Sequence, residues 1–386
     1  MQHLRPTWAE IDLDNLIHNI GAVRRILPDD CEIFGVVKAD AYGHGAVRVA
    51  QTALAAGANR LAVSIVDEAW ELRKAGIAAP ILILGYTPAG QGELAARLGL
   101  SVTVYDRANA ESLAMGALRA GRQLKVHLKI DTGMSRLGVA PPDAARLAQY
   151  CARLPGIELE GVFTHFARAD EADITPTCEQ LRRFQAALRG IEATGIQIPL
   201  VHAANSASAI RFPDTRFNAI RLGLSMYGLY PDPLLKDYGV ELRPAMSLRT
   251  TVSFARWVPA NTAVSYGGRH ITEAPAYLVT LPIGYADGLS RLLSGKAEVL
   301  LRGRRVPLVG TICMDQCVVD ATQVADAVIG DEVVIWGRQG DAEITVDEVA
   351  QRLGTISYEV LCLLSKRVPR VYFRQQKIVD VRNLLG

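Results

Sequence analysis

Between residues 31 and 224, short apolar, β-branched runs alternate with Ala/Leu/Arg-rich stretches of helical period. The runs are EIFGVV, ended by Lys38, RLAVSIV to Val66, PILILG to Gly85 and LSVTVY to Tyr105. They continue with KVHLKI to Ile130, LEGVFTH to His165, PLVHAA to Ala204 and AIRLG to Gly223. Near-continuous apolar strands suit a parallel sheet covered on both faces. Eight such strands, seven followed by a plausible helix, predict a closed (β/α)8 barrel. An open doubly wound sheet is the competing arrangement, but no G-x-G-x-x-G follows the first strand. Ahead of the barrel, LDNLIHNIGAVRRIL predicts a helix that starts after Asp12 and stops before Pro28.

Beyond about residue 240 the rhythm changes. PDPLLKDYG reads as a connection, and the runs SLRTTVSFARWV, AYLVTLP, AEVLLRG, RRVPLVG, CVVDA and EVVIWG follow without regular helices between them. One helical stretch, TVDEVAQRLGTI, interrupts near the end. The expected class is therefore α/β, an N-terminal (β/α)8 (TIM-like) barrel over residues 9–240, followed by a mostly antiparallel β-strand domain. That second domain is expected over residues 241–386, joined by residues 1–8.

Composition narrows the function classes. In 386 residues, 42 Lys and Arg nearly cancel 40 Asp and Glu, leaving +2. So small a charge removes the electrostatic case for a nucleic-acid or acidic-membrane partner. No run approaches a membrane span, and MQHLRPTWAE lacks the apolar core of a secretory signal. Six cysteines with no CxxC pair argue against a disulfide or structural-zinc scaffold, so a reduced, cytoplasmic protein is expected.

In a (β/α)8 barrel the active site forms at the C-terminal ends of the strands. The polar residues there are Lys38, Lys129, Arg136, His165, His202, Asn205, Ser206 and Arg221. Lys38, in FGVVKADAYGHG, reads either as a snorkelling strand-end lysine or as a desolvated amine suited to covalent carbonyl chemistry. Gly43 and Gly45 favour the second, because they let backbone approach a ligand closely.

VVKADAYGHG resembles the pyridoxal-phosphate attachment motif of the alanine racemase family. The blocks LKIDTGMSRLG, GVFTHFARAD, HAANSAS, RLGLSMYG, AVSYGGRH, PIGYADGL, GTICMDQ and ISYEVLC resemble that family's blocks in the same order. Nine blocks in register across both expected domains make the resemblance specific.

The resemblance implies pyridoxal 5'-phosphate bound covalently through Lys38, and racemisation of L- and D-alanine. Inverting a carbon by proton exchange requires a base on each face of a planar species, and the family places the second base at Tyr266, in VSYGG. A free tyrosine titrates near 10, so as a base it needs help from a cation or hydrogen bond. Read alone, Tyr266 is equally a turn tyrosine beside two glycines. Arg221 would face the ring nitrogen, where a permanent cation disfavours protonation and weakens the ring as an electron sink. Read alone, it is a buried arginine paired with a carboxylate. His165 would pack on the coenzyme plane and His202 would support Arg221.

For the phosphate, the resemblance implies Asn205, Ser206, Gly223, Leu224, Tyr42 and Tyr358, although Ser206 could equally be an ordinary helix cap. Barrel phosphate sites commonly use the loops after the last two strands. Lys129 and Arg136 make an electrostatically unfavourable pair. In the family the matching lysine is often carbamylated, which would give an anion able to orient Arg136 for the substrate carboxylate. Met314 would offer its backbone N–H to that carboxylate, Tyr285 would gate the approach and Asp315 would lie at the entrance. The family arrangement also implies a head-to-tail homodimer with two shared sites, since Tyr266 and Met314 lie in the β domain.

Rival readings are weaker. Pyridoxal-phosphate decarboxylases of similar plan place an acid where this chain has Arg221. A D-amino-acid dehydratase or aldolase would want a metal, and the second domain offers only His270 and scattered cysteines, so no metal is expected. A single-barrel coenzyme carrier would not need the last 140-odd residues.

Overall fold

The computed structural model describes residues 5–384; the outermost residues of the segments expected at 1–8 and 241–386 lie outside the described residues. The chain divides into two units. One contains Asn15–Ala41 and Ala46–Arg243; the other contains the residues up to Asp14, Tyr42–Gly45 and Pro244 onward.

The chain opens with a strand, β1 (Thr7–Asp12), and a helix, Leu13–Arg24, one turn shorter than the apolar period suggests. Eight parallel strands follow: β2 (Glu32–Val36), β3 (Arg60–Val63), β4 (Ile81–Ile83), β5 (Ser101–Val104), β6 (Leu124–Lys129), β7 (Ile157–Phe163), β8 (Leu200–His202) and β9 (Ala219–Leu222). They close in sequence order, with β9 pairing β2 from Glu32↔Ala219 to Gly35↔Leu222. All eight coincide with the apolar runs. β4, β5 and β9 are buried at every position, because their outer faces meet helices and their inner faces fill the barrel.

The helices show the complementary pattern. Ala144–Arg153 buries Ala144, Leu147, Ala148 and Cys151, positions i, i+3, i+4 and i+7 of one stripe. Each leucine taken from water this way contributes about 1.5–3 kcal/mol. After β9 come two 3₁₀ segments, Leu224–Tyr227 and Pro233–Tyr238.

The second unit carries an 11-stranded sheet. β1 lies inside it, antiparallel to β10 (Met246–Thr251) and parallel to Arg370–Arg374. Its alternating burial fits a strand with one face on a core, and Thr7 and Thr250 join their hydroxyls at 2.8 Å. SLRTTVSFARWV, expected as one strand, is two. β10 pairs with Glu332–Gln339, whereas Phe254–Val258 pairs with Ala276–Leu281. The switch occurs at Val252 and Ser253, whose N–H groups donate to Asp331 and Thr280 respectively. The helix Val346–Leu353 is capped by Thr345, whose hydroxyl accepts from Glu348 N at 3.1 Å.

Candidate active site

Side chains converge at the C-terminal ends of the barrel strands, with Arg221 at their centre. It is only 4% exposed, yet among the described residues none of its hydrogen-bond acceptors is a carboxylate. Nη1 donates to His202 Nδ1 (2.8 Å) and His202 O (3.2 Å). Nη2 donates to Thr164 O (2.8 Å), Ala203 O (2.8 Å) and His165 Nδ1 (3.2 Å). Burial pushes the guanidinium down to about 9, which still leaves it cationic at neutral pH. The carboxylate-paired arginine that sequence leaves open is thus replaced by an arginine held on carbonyls and imidazoles.

His165 and His202 are both held well below the usual histidine range, by burial first and by the Arg221 charge second. They are neutral and available as acceptors. His202 is also fixed in plane, lying 4.8 Å from Phe163 and 5.0 Å from Phe34 with near-parallel rings. Lys129, Arg136 and Lys38 further disfavour protonation of His165.

Lys38 opens a turn of unusual hand. The four residues after it, Ala39, Asp40, Ala41 and Tyr42, have φ of 52°, 53°, 54° and 51°. Each left-handed non-glycine residue costs roughly 1–2 kcal/mol, so the turn persists only because its surroundings hold it. Glu68 Oε1 accepts from Ala39 N at 2.6 Å, and Asp40 Oδ1 accepts from Ala46 N at 2.8 Å. The glycines that follow have a different role from the ligand approach expected of them. A Cβ on Gly43 would lie 2.4 Å from Leu361 O, and one on Gly45 1.8 Å from the Tyr372 hydroxyl. Protein, not ligand, occupies that space.

Lys129 ends β6, 6% exposed, with its amine 4.4 Å from the centre of the Phe163 ring. Burial, then Arg221 and Arg136, hold the amine well below the usual lysine range. Arg136 is exposed on the following loop. Asp131 shapes that loop by accepting from the N–H groups of Gly133 (3.0 Å), Met134 (2.9 Å) and Ser135 (3.0 Å) through one oxygen.

The loops after β8 and β9 meet. Ser206 Oγ accepts from Gly223 N (3.0 Å) and Ser225 N (3.3 Å). Ser206 is not the helix cap: Asn205 is, accepting from Ser208 N at 3.0 Å. Two donors remain there. Leu224 is buried and its N–H meets no acceptor among the described residues. The buried Ser225 hydroxyl also has no partner among the described residues. Unsatisfied donors flanked by glycine backbone are what an oxyanion ligand would satisfy.

In the second unit, the Tyr42 and Tyr358 rings meet at a tilt of 48° with centres 5.9 Å apart, and burial pushes the Tyr42 phenol up. Tyr266, Tyr285 and Met314 are exposed together, at 73%, 42% and 52%. Thr311 Oγ1 donates to Tyr266 O at 2.9 Å, and Ser265 Oγ donates to Thr311 O at 2.6 Å. Tyr285 N donates to Cys313 O and Ala286 N to Met314 O, a close approach permitted by Gly284, where a Cβ would lie 2.3 Å from both oxygens. Asp315 pairs with Arg367 at 2.7 Å. Glu68 and Ser225 are not singled out by sequence. Glu68 reads as first-turn helix decoration, and only the left-handed turn reveals its second use.

Residues 11–231 match the family model described as "Alanine racemase, N-terminal domain", and residues 245–372 match "Alanine racemase, C-terminal domain". An alanine racemase of Clostridium perfringens is 45% identical over 384 residues, 99% of each chain. A solved alanine racemase of Clostridium difficile 630 is 39% identical with a TM-score of 0.95, covering 99% of both chains. An alanine racemase of Bacillus anthracis, solved with bound L-Ala-P, is 40% identical with a TM-score of 0.93, covering 99% of this chain and 98% of that one. With both of its domains matched and full-length relatives this similar, the chain belongs to the alanine racemase family.

Proposed function

We propose that the protein is an alanine racemase, an isomerase that interconverts L- and D-alanine with pyridoxal 5'-phosphate as coenzyme. The observation that carries this reading is Arg221: a buried cation whose partners among the described residues include no carboxylate. A fixed cation at the ring nitrogen limits electron withdrawal into the ring, which favours return of the proton to Cα over transamination or decarboxylation. The residues present suit the coenzyme: Lys38 for covalent attachment, and Leu224 N–H and Ser225 Oγ beside Ser206 and Gly223 for the phosphate. Asn205, Tyr42 and Tyr358 complete that set. When bound, the coenzyme holds the substrate amine covalently and acidifies its Cα hydrogen.

Lys38 serves as the base on one face of Cα and Tyr266 on the other. His165 would pack against the coenzyme ring when it is bound, and His202 holds Arg221. Arg136 and the Met314 N–H bind the substrate carboxylate, while Tyr285 and Asp315 line the approach. Lys129 carries a carbamate. Its depressed proton affinity supports this, because only the neutral amine attacks CO2, losing a proton to leave an anion beside Arg136. Tyr266 and Met314 come from a second copy of the chain, so the active form is a homodimer with two shared sites. The exposed cluster of Tyr266, Tyr285 and Met314 supports a covered surface there. Six cysteines without a CxxC pair support a cytoplasmic location. D-Alanine supply for the cell wall and alanine catabolism are both compatible with this activity.

The test is direct. Purified protein with coenzyme and pure L-alanine yields an L/D mixture by chiral chromatography, and starting from D-alanine reaches the same mixture. Pyruvate or ethylamine as the main product would refute the proposal.

A further inference from the structure

Arg221 is tied to the opposite end of the barrel by a single file of hydrogen bonds. His202 Nε2 lies 2.8 Å from His127 Nδ1, and His127 Nε2 lies 3.0 Å from Glu160 Oε2. Glu160 Oε2 also accepts from Ser101 Oγ at 2.6 Å. Glu160 Oε1 accepts from Arg60 Nη1 (3.0 Å) and Lys125 Nζ (3.1 Å). His127 and His202 are fully buried, and Glu160 nearly so. The file runs through the barrel interior from strand starts to the strand end that carries His202.

The direction of every bond is fixed. A guanidinium has donors only, so His202 Nδ1 must accept and its proton sits on Nε2. That N–H donates to His127 Nδ1, which places the His127 proton on Nε2, where it donates to Glu160. The room for this arrangement is built into the backbone. The pairing of β6 with β7 shifts register between Val126 and His127. A Cβ on Gly161 would lie 2.4 Å from His127 Nδ1. Strand irregularity and glycine together seat an imidazole in the middle of a barrel.

We propose that Glu160 is a positioning residue for the active site, setting the tautomers of His127 and His202 and through them the orientation of Arg221. The inference rests on the reading of Arg221 as the residue that faces the coenzyme's ring nitrogen. Glu160→Gln tests it sharply. Arg60 and Lys125 both donate at the Oε1 position, where an NH2 would set donor against donor, so the amide oxygen takes the Oε1 place, the NH2 turns to His127 Nε2 and the Ser101 hydroxyl turns to accept. His127 must then accept there and carry its proton on Nδ1, which makes His202 Nε2 an acceptor. His202 Nδ1–H now faces the Arg221 N–H, donor against donor, and the guanidinium is displaced.

Full-length protein labelled with 15N-histidine reports both tautomers by NMR, before and after coenzyme is added. In the unsubstituted protein, His127 and His202 are expected with protonated-type Nε2 and unprotonated-type Nδ1 resonances. In Glu160→Gln both pairs interchange, and affinity for pyridoxal phosphate falls roughly tenfold, the loss of one well-placed charged hydrogen bond. Gly161→Ala, which crowds His127, lowers affinity in the same direction. A protonated Nδ1 on His202 in the unsubstituted protein overturns the relay, whether or not either variant folds. An interchange without loss of affinity, or a loss without interchange, overturns the positioning role. Failure to bind coenzyme at all would instead count against the racemase reading, leaving the tautomers as a separate result.

Discussion

The Glu68 carboxylate accepts the Ala39 N–H at 2.6 Å, tying the helix Val66–Lys74 to the residue directly after Lys38. Its other oxygen accepts from Ser64 N at 2.7 Å and Ile65 N at 3.3 Å. One side chain thus fixes two barrel loops and helps hold a turn that its own sequence would not choose. Glu68→Ala is expected to lower stability by about 2 kcal/mol, the scale of losing a charged acceptor for backbone donors. Because the relaxed turn no longer fixes Lys38, coenzyme should also dissociate faster, by about tenfold. Denaturant unfolding and dialysis against coenzyme-free buffer measure the two effects. Loss of stability with unchanged coenzyme retention would separate Glu68 from the site.

Lys129 gives a second prediction. Burial, with Arg221 and Arg136, holds its amine well below the usual lysine range, which raises the neutral fraction that can take up CO2. Protein equilibrated with 13C-bicarbonate is expected to show one slowly exchanging carbamate carbon signal, absent from Lys129→Met. A signal retained in that variant would place the modification elsewhere, and no signal at saturating bicarbonate would remove it.

The buried histidines predict acid lability. His127, His165 and His202 all bind protons more weakly in the folded chain than when unfolded. Below the ordinary histidine value near 6.5, the unfolded state therefore binds more protons, and folding stability falls as pH falls. Each group contributes a slope of up to about 1.4 kcal/mol per pH unit in that window. Glu160, held low chiefly by its hydrogen bonds to His127 and Ser101 against the effect of burial, adds a further loss below the ordinary glutamate value near 4.3. Thermal midpoints should be level from pH 7 to 8 and drop steadily from 6.5 to 5. A flat profile to pH 5 would mean that these imidazoles protonate in place.

Much of this was legible because a buried parallel strand leaves a plain trace. PILILG and LSVTVY can hardly be read otherwise, and polar residues at their ends point to the mouth of a barrel. TWAEID was harder: six alternating residues run straight into a helix, and their partners lie more than 230 residues away. The Lys38 turn was not legible at all, since Ala-Asp-Ala-Tyr prefers the right-handed helix and only tertiary contacts reverse it. His127 and Glu160 lay hidden as ordinary polar positions in KVHLKI and LEGVFTH. Their signal was present, however, in charged and imidazole groups set at strand positions where a barrel interior normally takes Val, Ile or Leu.

Shared sites predict complementation. Lys38→Ala and Tyr266→Phe homodimers should each be inactive, whereas mixed dimers contain one site with both native residues. Co-expressed, differently tagged chains purified as heterodimers should recover up to about half of the unsubstituted activity, one site of two. Inactive heterodimers would place both bases on one chain.

The central claim is that two different groups handle the two faces of Cα, and hydrogen exchange in D2O tests it most directly. With Tyr266→Phe, one enantiomer of alanine should still exchange its Cα hydrogen through Lys38 while forming almost none of its mirror image. The other enantiomer should exchange at least a hundredfold more slowly, the scale of removing a general base. Equal exchange from both enantiomers in that variant, with racemisation intact, would contradict the account.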